Sequence, residues 1–501
     1  MADPDMTSTP SIKRHRLFVG SCLALVATSV AFATVGAVMA PLKNAFVLTN
    51  EQVGWIGGAA LWGFAVSMLV FSPLCDSLGM RFLLRLAFVG HLVGTAVLIV
   101  SNGFWMLFTG ALIVALGNGL VEAACNPLVA ALYPDDKTVR LNQFHVWFPG
   151  GIVIGGVAVY LMDVGGVSEW QAKLALIIIP TIAYGYLVLR EEFPATEGVS
   201  AGVSMGEMFR ATFTTPLMLL MLACMAITAS TELGPNRWIP AVLESGGIPG
   251  ILVLVWISGL MAVMRYKAGP IVHGLSPTGL LLASAVVSAI GLYWLSFADT
   301  IVMAFVSATV FAIGVCYFWP TMLGFVSERI PKSGALGLGM MGAVGMAVVG
   351  LITSPQMGHI ADRIAHEQLP VEQTVALFAE VSEAYPEIAG DVGAMRADID
   401  RTVAIVSDVL GTYRSSDELP EITTANALRT IVDSRSAVSV SGSEEASALV
   451  DRAVGILGPA DNYGGRLSFR YIVPFTCVLI FVFGALYLSD RKSGGYRAEK
   501  L

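Results

Sequence analysis

Charge is scarce in this chain. Only 13% of its 501 residues are Asp, Glu, Lys or Arg, against about 25% in a soluble domain. A soluble fold of this length would not have the polar surface it needs. Cysteine is sparse as well. Cys22, Cys75, Cys125, Cys224, Cys316 and Cys477 sit singly in or at the ends of apolar runs, which excludes a disulfide framework or a zinc pattern. They read as small buried apolar residues. A Walker A glycine loop is missing, so ATP-driven transport within this chain is not expected. Neither paired carboxylates nor histidines occur at metal-ligand spacing, so no enzyme activity, cofactor or metal is expected. The net charge of -8 argues against a nucleic-acid partner.

Apolar sequence is abundant instead. Twelve runs cover residues 17–40, 52–75, 82–100, 104–132, 143–164, 172–189, 216–243, 248–268, 276–297, 300–327, 334–361 and 469–489. Most approach the roughly 20 residues that cross a hydrocarbon core. Backbone amides cannot stay unpaired in lipid, so these runs are expected to be helices, spans one to twelve. Lys13, Arg14 and Arg16 precede the first run, which is longer than the 7–15 residues of a signal h-region and reads as a retained span. The 52 glycines suit close helix packing in lipid.

Lysine and arginine set the expected orientation. With the N-terminus inside, seventeen of them fall on cytoplasmic segments, Arg265 included, and only Lys43 and Lys173 on short outer loops. Both termini are therefore expected in the cytoplasm of a multi-pass cell (inner or plasma) membrane protein. The chain divides into a tail 1–16, a six-helix bundle 17–189, a linker 190–215, a second bundle 216–489 and a tail 490–501. The second bundle is interrupted by a polar insertion, 365–465, on the outer side. From Asp362 to Arg470 there are eighteen acids and nine arginines, which accounts for the whole net charge. The insertion reads as a solvated helical cap or a partly disordered segment, its Ser-rich stretch 432–447 as flexible.

The two bundles look duplicated. Pro73 and Pro270 follow spans two and eight, 197 residues apart. Pro127 and Pro320 lie 193 apart near the ends of spans four and ten, and glycine-rich spans follow both. Transporters are often built from such repeats.

Polar residues inside spans are expensive and mark candidate sites. Asn118, Glu122 and Asn126 recur every fourth residue of span four, on one face that drifts by about 40° per step. Glu122 can accept bonds from a polyol or carry a proton, or it can tie helices together. His145, at the start of span five beside Asn142, can bind a hydroxyl or titrate, or bond to backbone. In span seven, Glu232, Asn236 and Arg237 surround the breaker Gly234-Pro235. Glu232 and Arg237 can pair, and Asn236 can contact solute. Trp319 in span ten can stack on a sugar ring or simply pack. Gln356 and His359 fit a membrane interface. Asp76, Arg81 and Arg85 on the Gly79 turn suit a charge latch between conformational states.

At these residues the chain resembles the major facilitator superfamily. Ser72-Pro-Leu-Cys-Asp76-Ser-Leu-Gly79-Met-Arg81 is similar to that superfamily's signature loop, with Ser72 where Gly is usual. Within it, the resemblance is to the fucose permease type of sugar–proton symporter. It is carried by Ala45-Phe46-Val-Leu-Thr49-Asn50, Glu122-Ala-Ala-Cys-Asn126-Pro127, Arg140-Leu141-Asn142, Trp319-Pro320-Thr321 and Thr353-Ser354-Pro355-Gln356-Met357-Gly358. It implies an all-α membrane protein of twelve transmembrane helices in two pseudo-symmetric six-helix bundles that rock around a central cavity. It also implies that Glu122 matches a carboxylate of sugar binding and proton coupling, with Asn126 and His145 at or beside sugar contacts. The family's second acid, in span one, is replaced by Ala37. The expected function is secondary active transport of a monosaccharide or similar neutral polyol by a monomer in the lipid bilayer, with Glu122, Asn126, His145, Asn236 and Trp319 at the solute. Coupling, to a proton or sodium, would run through Glu122 or Glu232. Efflux of amphipathic compounds, or a non-transporting sensor using the insertion, are the alternatives.

Overall fold

The computed structural model describes residues 12–46, 48 and 50–500. Among them, eleven helices are long and apolar enough to cross a membrane. In order they are Arg14–Ala37, Gln52–Phe71, Met80–Ile99, Phe104–Leu132, Lys137–Val164, Trp170–Val188, Pro216–Glu244, Ala268–Leu295, Ile301–Arg329, Pro331–Glu367 and Glu444–Lys492. Gly250–Tyr266, at 17 residues, is the remaining apolar helix and fills the place of span eight. The loop expected after it is a continuation: Ala268–Leu295 starts two residues later and turns at Ser276, where φ is 63°. The Thr49 part of the stretch after span one lies outside the described residues.

Within each half, neighbouring spans approach closely at glycine. A Cβ on Gly94 of span three would sit 2.7 Å from the Val114 amide nitrogen of span four. One on Gly291 of span nine would sit 2.3 Å from the Phe311 nitrogen of span ten. Only a residue without a Cβ lets these backbones meet. The two glycines are 197 residues apart, the same offset as Pro73 and Pro270. Between the halves, span two packs on span eleven, and span five packs on spans eight and ten.

Several spans are broken by proline, which removes the hydrogen bond to the carbonyl four residues back. Span five divides into Lys137–Phe144 and Trp147–Val164 ahead of Pro149. Span ten divides into Ile301–Val315 and Phe318–Arg329 ahead of Pro320. The carbonyls released are those of His145 and Cys316.

The end rich in Lys and Arg, termed the inner end from its expected orientation, is closed between halves. Lys137 Nζ lies 2.6 Å from Glu197 Oε2 and donates to Ser327 O at 3.3 Å. Asn142 Nδ2 donates to Thr321 Oγ1 at 3.2 Å. A Cβ on Gly324 would sit 2.3 Å from Thr138 Oγ1. Asp490 accepts from Arg329 at 2.8 Å and from Thr278 at 2.9 Å, joining spans nine, ten and twelve.

Spans eleven and twelve run on as the helices Ser354–Glu367 and Glu444–Arg470, which pack together. Around them fold Val371–Ile388, Arg396–Ser416, Glu421–Asp433 and Arg435–Ser441. This unit has its own apolar core, with Phe378, Tyr385, Val406, Leu428, Ile431 and Leu449 buried in it. The Ser-rich stretch is not the flexible linker its composition suggests. Ala437 and Val438 are buried, and Ser443 caps the next helix by accepting from the Ala446 amide. Burial of two apolar side chains outweighs serine's local preference for turns. The unit is fastened to the second half. Asn462 Nδ2 donates to Val242 O at 2.7 Å, and the Arg470 guanidinium lies 3.9 Å from the Phe297 ring centre. Toward the first half, Lys43 lies 3.6 Å from Asp433.

Candidate functional site

Span four presents the polar face that its spacing predicts, and the three residues on it have different fates. Asn118 is committed inside the first half. Its Oδ1 lies 2.9 Å from His91 Nε2, and the Tyr184 hydroxyl lies 3.2 Å from His91 Nδ1. This chain of bonds ties spans three, four and six. Glu122, 2% exposed, and Asn126 turn elsewhere: Asn126 Nδ2 donates to Glu122 Oε2 at 2.5 Å.

His145 joins them because span five breaks there. Its Nδ1 lies 2.9 Å from Leu141 O, so that nitrogen carries the hydrogen. Nε2 then faces Glu122 Oε2 at 3.4 Å, off the line of a hydrogen bond. Glu122, Asn126 and His145 thus form one buried cluster.

Glu232 belongs to a second cluster, and its partner is not Arg237. Arg265 of span eight, 2% exposed, donates from NH2 to Glu232 Oε1 at 3.0 Å. The pairing of Glu232 with Arg237 expected from proximity in sequence is therefore corrected. Residues five apart on a helix point about 140° away from each other, and the Arg237 guanidinium instead lies 3.9 Å from where a Cβ on Gly57 of span two would be.

The charge count places Arg265 with the inner-side anchors, and this too is corrected. Its Nε donates to Cys316 O at 2.5 Å and its NH1 to His145 O at 3.1 Å. These are the two carbonyls released by Pro320 and Pro149. A guanidinium offers five N–H donors in a fixed fork and can serve three acceptors together. Sequence reasoning misses this residue. The proline signals are visible, but nothing in the linear order says which donor answers them.

Trp319 lies one turn past the break of span ten. Its ring packs against span eleven, where a Cβ on Gly345 would meet it at 2.9 Å and one on Gly342 at 3.6 Å. Asn236 is half-buried one turn beyond Glu232, and no bond joins it to either cluster; its Oδ1 has no partner among the described residues. Gln356 and His359 are exposed.

The Gly79 turn takes another form than a carboxylate–arginine pair. Arg81 and Arg85 both donate to Leu189 O, at 3.2 and 3.0 Å, capping the end of span six. Asp76 accepts from Thr196 Oγ1 of the linker at 2.6 Å.

The sequence profile of the Major Facilitator Superfamily matches residues 21–354. The yeast (Saccharomyces cerevisiae) hexose transporter HXT17 is 29% identical over 153 residues, covering 29% of this chain and 27% of that protein. The chain thus aligns with about a quarter of that relative's length. The 2-nitroimidazole transporter of Escherichia coli is 20% identical over 73% of this chain and 94% of its own. Among solved structures, the E. coli fucose:proton symporter FucP is 18% identical with a TM-score of 0.53, covering 69% of this chain and 92% of that one. The proton:xylose symporter XylE is 14% identical with a TM-score of 0.59, covering 70% and 90%. With the profile spanning well over half of its residues, the chain is a multi-pass membrane protein that belongs to the Major Facilitator Superfamily.

Proposed function

We propose that this transporter moves a monosaccharide or a similar small neutral polyol by alternating access, together with a proton. The observation that carries the coupling is the meeting of His145 and Glu122. With the imidazole hydrogen held on Nδ1 by Leu141 O, a neutral ring turns its Nε2 lone pair toward a carboxylate oxygen 3.4 Å away. In a buried site that arrangement is repulsive. One added proton, on either group, turns it into a charge-assisted attraction. The pair is thus a one-proton site, and it stands in for the span-one acid that Ala37 replaces.

Support for a hydroxyl-rich solute comes from what the clusters leave open. Asn126 Oδ1, His145 Nε2 and Asn236 Oδ1 are buried without a hydrogen-bond partner among the described residues. Each such group costs about 1–3 kcal/mol, and a polyol supplies the donors. In this reading Glu122, Asn126 and His145 hold the solute, Trp319 forms an apolar wall, and Asn236 receives it from the outer side. Hexoses and pentoses named for HXT17, FucP and XylE fit the same chemistry. The basic residues favour an orientation with both termini in the cytoplasm.

Proteoliposome uptake of labelled hexoses under an imposed pH or sodium gradient tests the proposal. An inward proton gradient should drive accumulation, and Glu122→Gln should abolish it while solute exchange persists. Undiminished gradient-driven uptake by Glu122→Gln would sink the coupling role. The similarity to the 2-nitroimidazole transporter, which runs over 94% of that protein, favours a second reading, export of a small compound. In that case no sugar would be taken up above protein-free vesicles.

A further inference from the structure

We propose that Arg265 is a positioning residue that makes the charge state of Glu232 and the closure of the inner end a single event. This goes beyond the solute-and-proton reading above and rests on it only in taking the protein to alternate between two access states.

Two proline breaks set the geometry around Arg265. Pro149 in span five and Pro320 in span ten each release a carbonyl inside the bundle. The two spans belong to opposite halves. Arg265 answers both carbonyls with one guanidinium, and its remaining nitrogen holds the Glu232 carboxylate at 3.0 Å. Two of these three bonds stay within the second half. The third, to His145 O at 3.1 Å, crosses to the first. It ends on the residue whose ring faces Glu122, so the two buried clusters share one backbone unit.

A buried cation needs its counter-ion. While Glu232 is ionised, the guanidinium is neutralised and fixed, and its fork holds span five against span ten. The ionisable groups that face Glu232 are Arg265 from span eight, His145 from span five and Cys316 from span ten. Arg265 is the only permanent charge among them. A proton taken up on Glu232 leaves that charge uncompensated beside two neutral carbonyls. The fork then reorients, the tie to His145 O is lost, and the halves part at the inner end. A simple structural ion pair between spans seven and eight would not do this, since it would act within one half only.

Ala335 offers a reporter. It is 1% exposed and lines a small cavity between Pro127 and Ala130 of the first half and Pro331 and Leu338 of the second. In a protein whose six native cysteines are replaced, Ala335→Cys is labelled with a membrane-permeant maleimide in proteoliposomes, without solute, at about pH 5.5 and pH 8. Labelling of the parent should be slow at the higher pH and several-fold faster at the lower. Glu232→Gln/Arg265→Gln, which removes both charges, should label about tenfold faster than the parent at the higher pH and at one rate throughout. A double variant that labels at the parent's rate, or keeps the parent's pH response, overturns the proposal. Should that variant not fold, Glu232→Gln alone should label at the parent's acid rate at both pH values, and a slow rate at the higher pH overturns it equally. Labelling needs no solute, so this tie is read independently of whether sugar uptake succeeds.

Discussion

Glu328, at the end of span ten, caps the start of span five through Thr138: its Oε1 accepts from the Thr138 amide at 3.0 Å and from the Thr138 hydroxyl at 2.7 Å. The carboxylate belongs to one half and the helix start to the other. A negative charge at a helix N-terminus is stabilised both by the amide and by the helix dipole. The other oxygen, Oε2, accepts from the Tyr496 hydroxyl at 2.7 Å. Gly494 and Gly495, with φ of 87° and 106°, turn the chain back to place it there. One carboxylate thus gathers both halves and the tail at the inner end.

Removing that charge should favour opening of the inner end. Bonds to a charged group contribute about 1.5–3 kcal/mol, so Glu328→Gln should raise labelling of Ala335→Cys by roughly tenfold or more. An unchanged rate would show that the cap does not hold the closed state.

The tail should contribute less, in the same direction. Tyr496→Phe loses one hydroxyl bond but keeps the ring beside Phe325 and the Arg329 guanidinium, so a change of about 1 kcal/mol or a few-fold in labelling is expected. Burial first, then the Glu328 charge, push the Tyr496 phenol above its usual value of 10.0. A raised folded value means that docking is fully present below the unfolded one and is lost only as pH climbs past it. The effect of Tyr496→Phe should accordingly be the same at about pH 6 and pH 9.

Asn118 and Asn126 should separate stability from transport. Asn118→Ala leaves His91 Nε2 without its partner in a buried site and should cost about 1–3 kcal/mol, read as a lowered Tm in detergent. Asn126→Ala should leave the Tm nearly unchanged and raise the KM for the solute. Equal effects of the two on Tm would contradict the division of roles along span four.

Arg429 should matter to the outer unit and little to transport. It bridges Asp362 at 2.6 Å and Asp461 at 3.1 Å. Burial pulls its guanidinium down, but the two carboxylates outweigh this and hold it above its usual range. Arg429→Ala leaves two like charges facing each other, so the unit should become more protease-sensitive, by about 1–2 kcal/mol in local opening. Transport rates should stay within about twofold of the parent's. Loss of transport with an intact unit would point instead to a role for this bridge in the cycle.

How much of this was legible in the sequence differs from element to element. The spans were, because lipid admits few backbone solutions and an apolar run of sufficient length has one outcome. The shared face of Glu122 and Asn126 was legible because 3.6 residues per turn puts every fourth side chain together. The order within the insertion was not. Ser434, Ser436, Ser439, Ser441 and Ser443 favour turns by local preference. Val438 among them nevertheless enters a core, and a composition rule says nothing of whether such a core exists.

By itself the sequence determined that the chain crosses a membrane many times, that it is built as two related halves, and that polar groups in spans four, five and seven are candidates for its site. These follow from local rules of helix length, periodicity and the expense of polar groups in lipid. Only the tertiary structure decided the partners. Glu232 takes Arg265 rather than Arg237, and His145 turns one nitrogen to Leu141 and the other to Glu122. Arg265 reaches the carbonyls of residues 120 and 51 positions away in the chain. Pairings over such separations depend on how whole helices cross, which no local pattern encodes.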